Sequence, residues 1–305
     1  MTSPLACPVA LSSPPWNLAS RGGYREIRTP NHLPLQSSVS RISSARLDFI
    51  SSQLSPTDHA VLGFVARTRL CSGAQLERLF WSKGELESRA RQARRALRRL
   101  AEWRILDRQP RSVGGRRAGS RGYIYSLGPA GVRLLDRESG VRVRCLGVPG
   151  DRFVAHVLSC TELVVRMEEA ARRGDLELIE APQTEPECWR SFLAGFGGRV
   201  VLRPDLFVRI GAGTLEDRWF VEVDMATEAS GTLTAKFKRY LAHYRSGREQ
   251  HEHGIYPRVL WAVPHGRRAA QVGEVLRRQP VEAQRLLSVC LLDEVVQRLS
   301  EEARS

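Results

Sequence analysis

The sequence predicts a mixed α/β fold, α+β overall, in which a helical N-terminal domain precedes a domain of alternating helices and strands. Three observations predict it: helix caps from Ser55 onward, an arginine-rich helix before a Gly/Arg-rich hairpin, and an αβββαβ order after Gly147. A length of 305 residues is typical of two domains, which we place at 46–146 and 147–305. Residues 1–45 lack a helical or strand period, so we expect a disordered tail or a start codon assigned too early.

Charge and cysteine content limit the classes of function. The net charge is +14 and the isoelectric point about 10.4, which favours a polyanionic partner, nucleic acid before an acidic membrane surface. A GC-rich genome would also raise the arginine content without any such partner. No apolar run approaches the roughly 18 residues that span a bilayer, and the six cysteines form no CxxC pair. We therefore expect a cytoplasmic protein that binds double-stranded DNA and no membrane.

Two capped helices open the N-terminal domain. Ser55 is placed to cap a helix with Pro56 at its first position and Asp58 in its first turn. Ser72 and Gln75 have the spacing of a capping box at the start of a second helix. These signals predict two short helices before the arginine-rich one.

The third helix, "ELESRARQARRALRRLAEW", carries arginine on one face. Its apolar stripe comprises Leu86, Ala90, Ala93, Leu97, Leu100 and Trp103. The opposite face comprises Arg91, Arg94, Arg95, Arg98 and Arg99. A hairpin follows from "ILDRQPR" to "YIYSLG", and its tip contains Arg116, Arg117 and Arg121 without an acid.

The order helix, helix, arginine-faced helix and basic hairpin is that of a winged helix-turn-helix. In that motif the third helix enters the major groove and the wing contacts the backbone or the minor groove. Between Arg67 and Arg121 there are 16 Lys and Arg residues against five Asp and Glu residues. We therefore expect the five helix arginines and the three tip arginines to bind DNA. The alternative is a winged helix for protein contacts with a solvated arginine face.

Acidic residues mark two neighbouring strands of the second domain. They are Asp205 in "LRPDLFVRI" and Glu222 and Asp224 in "WFVEVDM". We predict strands at "LELIEAP", "RVVLRPDLFVRI", "RWFVEVDM" and "RVLWAVP", with helices before the first and between the last two. This pattern resembles the PD-(D/E)XK nuclease superfamily, which has a restriction-endonuclease-like fold. Pro204-Asp205 matches the first part of its motif, and Glu222-Val223-Asp224 matches the second with Asp in place of Lys.

The superfamily resemblance implies a Mg²⁺-dependent site for DNA cleavage. Asp205, Glu222 and Asp224 would be catalytic, and Glu162 on the preceding helix would join Asp205 and Glu222 as a metal ligand. Convergent carboxylates bind Mg²⁺, which positions water and stabilises charge on a phosphate. Lys236, or else Lys238, on the next helix would replace the missing motif lysine. The alternatives are a nuclease fold that has lost its chemistry, or acids that merely pair with local arginines.

A narrower resemblance covers about residues 50–265. A winged helix, then "RPD", then "FVEVDMATEASGTLTAKFKRYLAHY", is similar to the replication-relaxation family of actinobacterial plasmids and integrated elements. The matching positions are Arg203, Pro204, Asp205, Glu222, Asp224, Thr227, Glu228, Lys236 and Tyr240. The resemblance implies a role in plasmid replication and DNA relaxation, with replication proteins of the host or element as partners.

Two classes of function therefore stay open. The first is a DNA-binding protein of a mobile element that nicks DNA or marks it for other proteins. The second is a non-enzymatic transcription or replication regulator, in which the C-terminal domain serves as an effector or as a homodimerisation domain. Metal-dependent nicking of supercoiled plasmid separates the two.

Overall fold

The computed structural model describes residues 42–110, 122–140, 150–193, 197–213 and 215–302. Its fold is mixed α/β, as predicted. Most of the predicted tail, the predicted domain boundary and the hairpin-tip residues Arg116, Arg117 and Arg121 lie outside the described residues. In the described ranges, no helix combines the length and the apolar character that crossing a bilayer requires.

The N-terminal half packs helices against a small antiparallel sheet with the strand order β1-β3-β2. Its elements are α1 (Ser44–Gln53), α2 (Pro56–Thr68), β1 (Cys71–Ser72), α3 (Gly73–Phe80), α4 (Leu86–Glu102), β2 (Leu106–Pro110), β3 (Tyr123–Leu127) and α5 (Pro129–Ser139). Ser72 forms the predicted capping box at α3, and the predicted cap Ser55 also forms a capping box, with Asp58 of α2. Helix α1 has no predicted counterpart, because only Leu47 and Ile50 of its side chains are buried.

The C-terminal half is built on a mixed five-stranded sheet with the order β10-β9-β8-β7-β4. Its elements are α6 (Asp151–Arg173), β4 (Gln183–Thr184), β5 (Arg190–Leu193), β6 (Arg199–Leu202), β7 (Leu206–Ala212), β8 (Leu215–Val223), α7 (Ser230–Arg245), α8 (Arg248–His253), β9 (Arg258–Val263), α9 (Gly266–Arg277), α10 (Val281–Leu286), β10 (Leu287–Leu291) and α11 (Val295–Glu302). Strands β8, β9 and β10 are parallel, whereas β7 is antiparallel to β8.

Two strand predictions in this half are wrong. The segment "LELIEAP" is irregular and contacts β7 through a bridge between Leu178 and Ile210, and the strand that pairs there is β4. The predicted strand "RVVLRPDLFVRI" is divided into β6, which pairs with β5, and β7 of the main sheet. Pro204 lies at the break, and a proline has no N–H to donate to a strand ladder.

Helix α6 joins the two halves. The guanidinium of Arg78 on α3 donates to Glu162 and Glu169 of α6, and the Thr161 hydroxyl donates to the carbonyl of Leu70 at 2.8 Å. Side chains of α6 such as Val164 belong to the same buried cluster as the apolar residues of α2, α3 and β8. The N-terminal part of α6 is therefore fixed between the helices of the first half and the sheet of the second.

Candidate functional sites

The outer face of α4 carries four exposed arginine side chains, Arg91, Arg94, Arg95 and Arg98. The other face of the helix buries Ala93, Leu97 and Leu100, as its periodicity predicts, but Leu86 of the predicted stripe is exposed at the start of the helix. Within the described ranges, none of the four guanidinium groups has a hydrogen-bond or ion-pair partner. This face is therefore a strip of cationic groups without local counter-charges.

Arg99 does not belong to this strip. Its Nη2 atom lies 2.7 Å from both carboxylate oxygens of Asp58, a buried residue of α2. Asp58 also accepts hydrogen bonds from Ser55, so one carboxylate completes the helix cap and the contact between α2 and α4. Arg99, which was predicted to face DNA with the other four arginines, is thus paired within the fold.

Strand pairing brings Asp205 beside Glu222. Strand β7 is antiparallel to β8, with Leu206 opposite Val221, so the residue that precedes β7 lies beside the end of β8. The buried residues of both strands, among them Val208 and Phe220, fix this register. Asp205 and Glu222 are both buried, at 8% and 2% exposure.

Asp205 has partners from a strand and a helix. Its Oδ2 atom accepts a hydrogen bond of 2.7 Å from the backbone N–H of Val223. Its Oδ1 atom lies 3.0 Å from Nε2 of His156 on α6. The hydrogen bond to Asp205 raises the pKa of His156 above its usual value, although burial opposes the shift. His156 therefore gains positive character next to this carboxylate.

Glu222 is held by two side chains of α7. The hydroxyl of Tyr240 donates to Oε1 at 2.7 Å, and Nζ of Lys236 lies 3.0 Å from Oε2. Burial and the carboxylate of Asp205 raise the pKa of Glu222 to about 7, although Lys236 and Tyr240 act in the opposite direction. Lys236 also contacts Glu228 at 2.7 Å. Lys236 thus connects the carboxylates of Glu222 and Glu228.

The carboxylate of Asp224 contacts helix α9 and not Asp205 or Glu222. Strand β8 ends at Val223, and the carboxylate of Asp224 accepts hydrogen bonds of 2.9 and 2.7 Å from Arg268 of α9. Its other oxygen accepts the N–H of Ala226, which turns the chain after the strand. The prediction that three carboxylates converge therefore needs correction, because Asp205 and Glu222 come together while Arg268 holds Asp224.

Glu162 is also placed differently from the prediction. Its carboxylate accepts hydrogen bonds from Gln75, Arg78 and Arg166, and it therefore serves the contact of α6 with α3. The α6 residue that reaches Asp205 is His156, which sequence reasoning missed. The signal that could have found it is the spacing of His156 and Cys160, which puts both side chains on one helix face.

A cavity of about 30 Å³ adjoins Asp205 at the junction of α2 and α6. Its lining includes His156, Cys160, Glu185 and Arg69, and the Arg69 guanidinium lies 3.3 Å from the Glu185 carboxylate. Burial, followed by the neighbouring Asp205 carboxylate, raises the pKa of Glu185. The same two causes raise the pKa of the Cys160 thiol well above its usual value. The cavity is therefore small, with a mostly apolar surface and with two acidic residues, Asp205 and Glu185, in its lining.

Asp205 and Glu222 are the residues that would hold Mg²⁺ here, because they are neighbouring carboxylates. Mg²⁺ is commonly bound by one or two carboxylates together with waters and substrate phosphates. The raised pKa of Glu222 reflects repulsion from Asp205 as well as burial, and a cation between the two carboxylates would relieve that repulsion. Glu162 and Asp224 lie outside this pair, because their carboxylates accept hydrogen bonds from other side chains.

Comparison with known proteins identifies the family. A sequence model described as replication-relaxation matches residues 62–259, which is more than half of the chain and extends from α2 into β9. No curated protein and no solved structure matches the chain. The matched region contains the arginine strip of α4 and the pair of Asp205 and Glu222. The chain therefore belongs to the replication-relaxation family.

Proposed function

We propose that the protein binds double-stranded DNA of a plasmid or mobile element and acts in its replication or relaxation. The observation that carries this proposal is the strip of four exposed arginines on α4 (Arg91, Arg94, Arg95 and Arg98), which have no counter-charges in the described part of the chain. Family membership supports the role in replication or relaxation.

The order of elements around α4 supports a winged helix-turn-helix. Helices α2, α3 and α4 are followed by strands β2 and β3, and the short β1 between α2 and α3 pairs with β3. In this motif the third helix is the recognition helix. Residues 91, 94, 95 and 98 lie on one side of the helix and span roughly 10 Å along its axis. That length suits the major groove, which is about 12 Å wide.

Replacing Arg94, Arg95 and Arg98 with Ala tests the strip. We expect binding to a duplex of the replicon to weaken by at least about tenfold, because one bidentate arginine contact to a base contributes about 1 to 3 kcal/mol. The measurement is fluorescence anisotropy at fixed salt. A matched control replaces three other exposed arginines with Ala, Arg277, Arg278 and Arg285. Equal losses in both triple variants would mean that only net charge matters, and would contradict the assignment to α4.

The arrangement of Asp205, Glu222 and Lys236 favours a second activity, Mg²⁺-dependent nicking of DNA. Asp205 and Glu222 would hold the ion, and Tyr240 orients Glu222 through a hydrogen bond of 2.7 Å. Lys236, which contacts Glu222, would add positive charge near the scissile phosphate. Mg²⁺, when bound, supplies an activated water and stabilises the charge that develops on that phosphate.

Asp205→Asn tests the nicking activity separately from DNA binding. We expect nicking of supercoiled plasmid with Mg²⁺ to disappear. The amide removes one of the two negative charges that would bind the ion. Duplex affinity should stay within about twofold, since α4 is a separate surface. Asp175→Asn, at an exposed position, is the control. If the wild-type protein does not nick DNA, the nuclease proposal fails, and a regulator with an effector or homodimerisation domain remains.

A further inference from the structure

We infer that His156, Cys160 and Asp205 form a site for one transition-metal ion of the Zn²⁺ class. This inference goes beyond the proposed function, because these donors differ from the carboxylate pair suited to Mg²⁺ and the site does not require DNA cleavage. Asp205 belongs to both sets. An ion here would connect α6 to the start of β7, next to Glu222.

The three side chains are close enough to hold one metal ion. One ligand atom from each residue lies within 4.8 Å of the other two. Nε2 of His156 lies 3.0 Å from Oδ1 of Asp205 and 3.7 Å from Sγ of Cys160. Among the residues that the structure describes, no other set of three His, Cys, Asp or Glu side chains is as close. Two of the ligands are one turn apart on α6, a rigid helix packed on both sides.

The adjoining cavity has room for an ion. Its volume is about 30 Å³, and all three side chains line it. One water occupies about 30 Å³ in the liquid, so the space suits a single ion or water. Glu185 also lines the cavity, and its carboxylate or a water would supply a fourth ligand.

The donor chemistry selects the class of ion. Imidazole nitrogen, thiolate sulfur and carboxylate oxygen are all Zn²⁺ ligands, and three protein ligands with one open position are typical of catalytic zinc sites. Mg²⁺ prefers oxygen donors alone. Binding releases the thiol proton of Cys160 to solvent, and the resulting charges of Cys160 and Asp205 balance the dication.

The other described cysteines lack such surroundings. The thiol of Cys188 donates to the carbonyl of Pro204 at 2.9 Å, and Cys71 contacts the Thr68 hydroxyl. Neither belongs to a group of potential metal ligands. A buried cysteine is usually a small apolar side chain, and Cys160 differs because a histidine and a carboxylate converge on its sulfur.

Metal titration of the full-length, chelator-treated protein tests the inference. We expect Zn²⁺ to bind with one-to-one stoichiometry by calorimetry, and Co²⁺ to produce the near-ultraviolet charge-transfer band of a thiolate ligand. Cys160→Ser should remove the band and weaken Zn²⁺ binding by at least about tenfold, since even indirect partners of a metal contribute about 10- to 100-fold to affinity. Cys290→Ser should keep both, because Cys290 belongs to no such cluster.

Two histidine variants and one glutamate variant complete the test. His156→Ala should weaken Zn²⁺ binding by a similar factor, whereas His251→Ala, at an exposed position on α8, should not. Glu222→Gln should abolish Mg²⁺-dependent nicking and retain the Co²⁺ band, which separates the two sites. Retention of the band without nicking in the wild type would support the metal site and refute the nuclease proposal. Absence of stoichiometric Zn²⁺ binding, or persistence of the band in Cys160→Ser, would overturn the inference.

Discussion

The arginine strip of α4 and the carboxylate pair of Asp205 and Glu222 hold charge in opposite ways. Arginines of the strip are exposed and have no counter-charge in the described ranges. The two carboxylates are buried, and each accepts hydrogen bonds from at least two groups. The exposed arginines are therefore available to a binding partner, whereas the buried carboxylates must be neutralised by groups of the protein itself.

The physical reason is the cost of desolvation. Burial of an unpaired ion costs several kcal/mol, so buried carboxylates persist only beside cations and hydrogen-bond donors. An exposed guanidinium remains solvated, and a duplex can use it by releasing condensed counterions. The comparison therefore predicts that substitutions at paired charges change stability and that substitutions at unpaired ones change binding.

The largest loss of stability is expected from Arg268→Ala. This change leaves the Asp224 carboxylate, whose side chain is 1% exposed, without its cation. We expect the free energy of unfolding to fall by about 3 to 5 kcal/mol, the usual effect of breaking a buried ion pair. Chemical denaturation measures it. Arg267→Ala, at the exposed neighbouring position, should change stability by less than about 0.5 kcal/mol. Similar small effects in both variants would show that Asp224 does not depend on Arg268.

Substitution of two adjacent arginines of α4 should affect different properties, stability for one and DNA binding for the other. Arg99→Ala should lower the free energy of unfolding by roughly 1 to 3 kcal/mol, because buried Asp58 loses both hydrogen bonds from the guanidinium. Arg98→Ala should leave stability unchanged and weaken duplex binding. The measurements are denaturant unfolding and fluorescence anisotropy on both variants. If Arg99→Ala weakens binding without loss of stability, the assignment of the two side chains is wrong.

A smaller effect is expected in the pH dependence of stability. The pKa of Glu222 is raised from 4.5 to about 7, so the folded protein holds more protons than the unfolded chain between these values. Its contribution to stability is present below pH 4.5 and is lost as the pH rises through about 7. Glu222→Gln should therefore lose less stability over that interval than the wild type, as measured by thermal unfolding at several pH values. Parallel profiles of the two proteins would contradict the raised pKa.

Local signals in the sequence predict much of the first half. The capping residues Ser55 and Ser72 act within one helical turn, which is why their roles could be read directly. The periodicity of α4 separates its buried face from its arginine face in the same way. The sequence also places Asp205 and Glu222 on neighbouring strands, but the register that brings them side by side comes from the pairing of β7 with β8.

Choices among distant partners could not be predicted. Arg99 pairs with Asp58 across 41 residues, and Arg268 pairs with Asp224 across 44 residues. Each pair depends on how helices dock, which periodicity does not specify. Similarly, α6 presents His156 to Asp205 and Glu162 to Arg78 because α6 packs between the two halves. Pro204 is a local signal that could have predicted the division of the strand "RVVLRPDLFVRI" into β6 and β7.

The salt dependence of duplex binding tests the central claim most directly. The logarithm of affinity is measured against the logarithm of salt concentration for the wild type and for the variant with Ala at positions 94, 95 and 98. Each phosphate contact contributes about 0.9 to the slope. We predict a slope shallower by about two to three units for the variant, because three arginines that contact phosphates are removed. Two lines of equal slope and equal affinity, with both proteins folded, would contradict the claim that the arginine strip of α4 binds DNA.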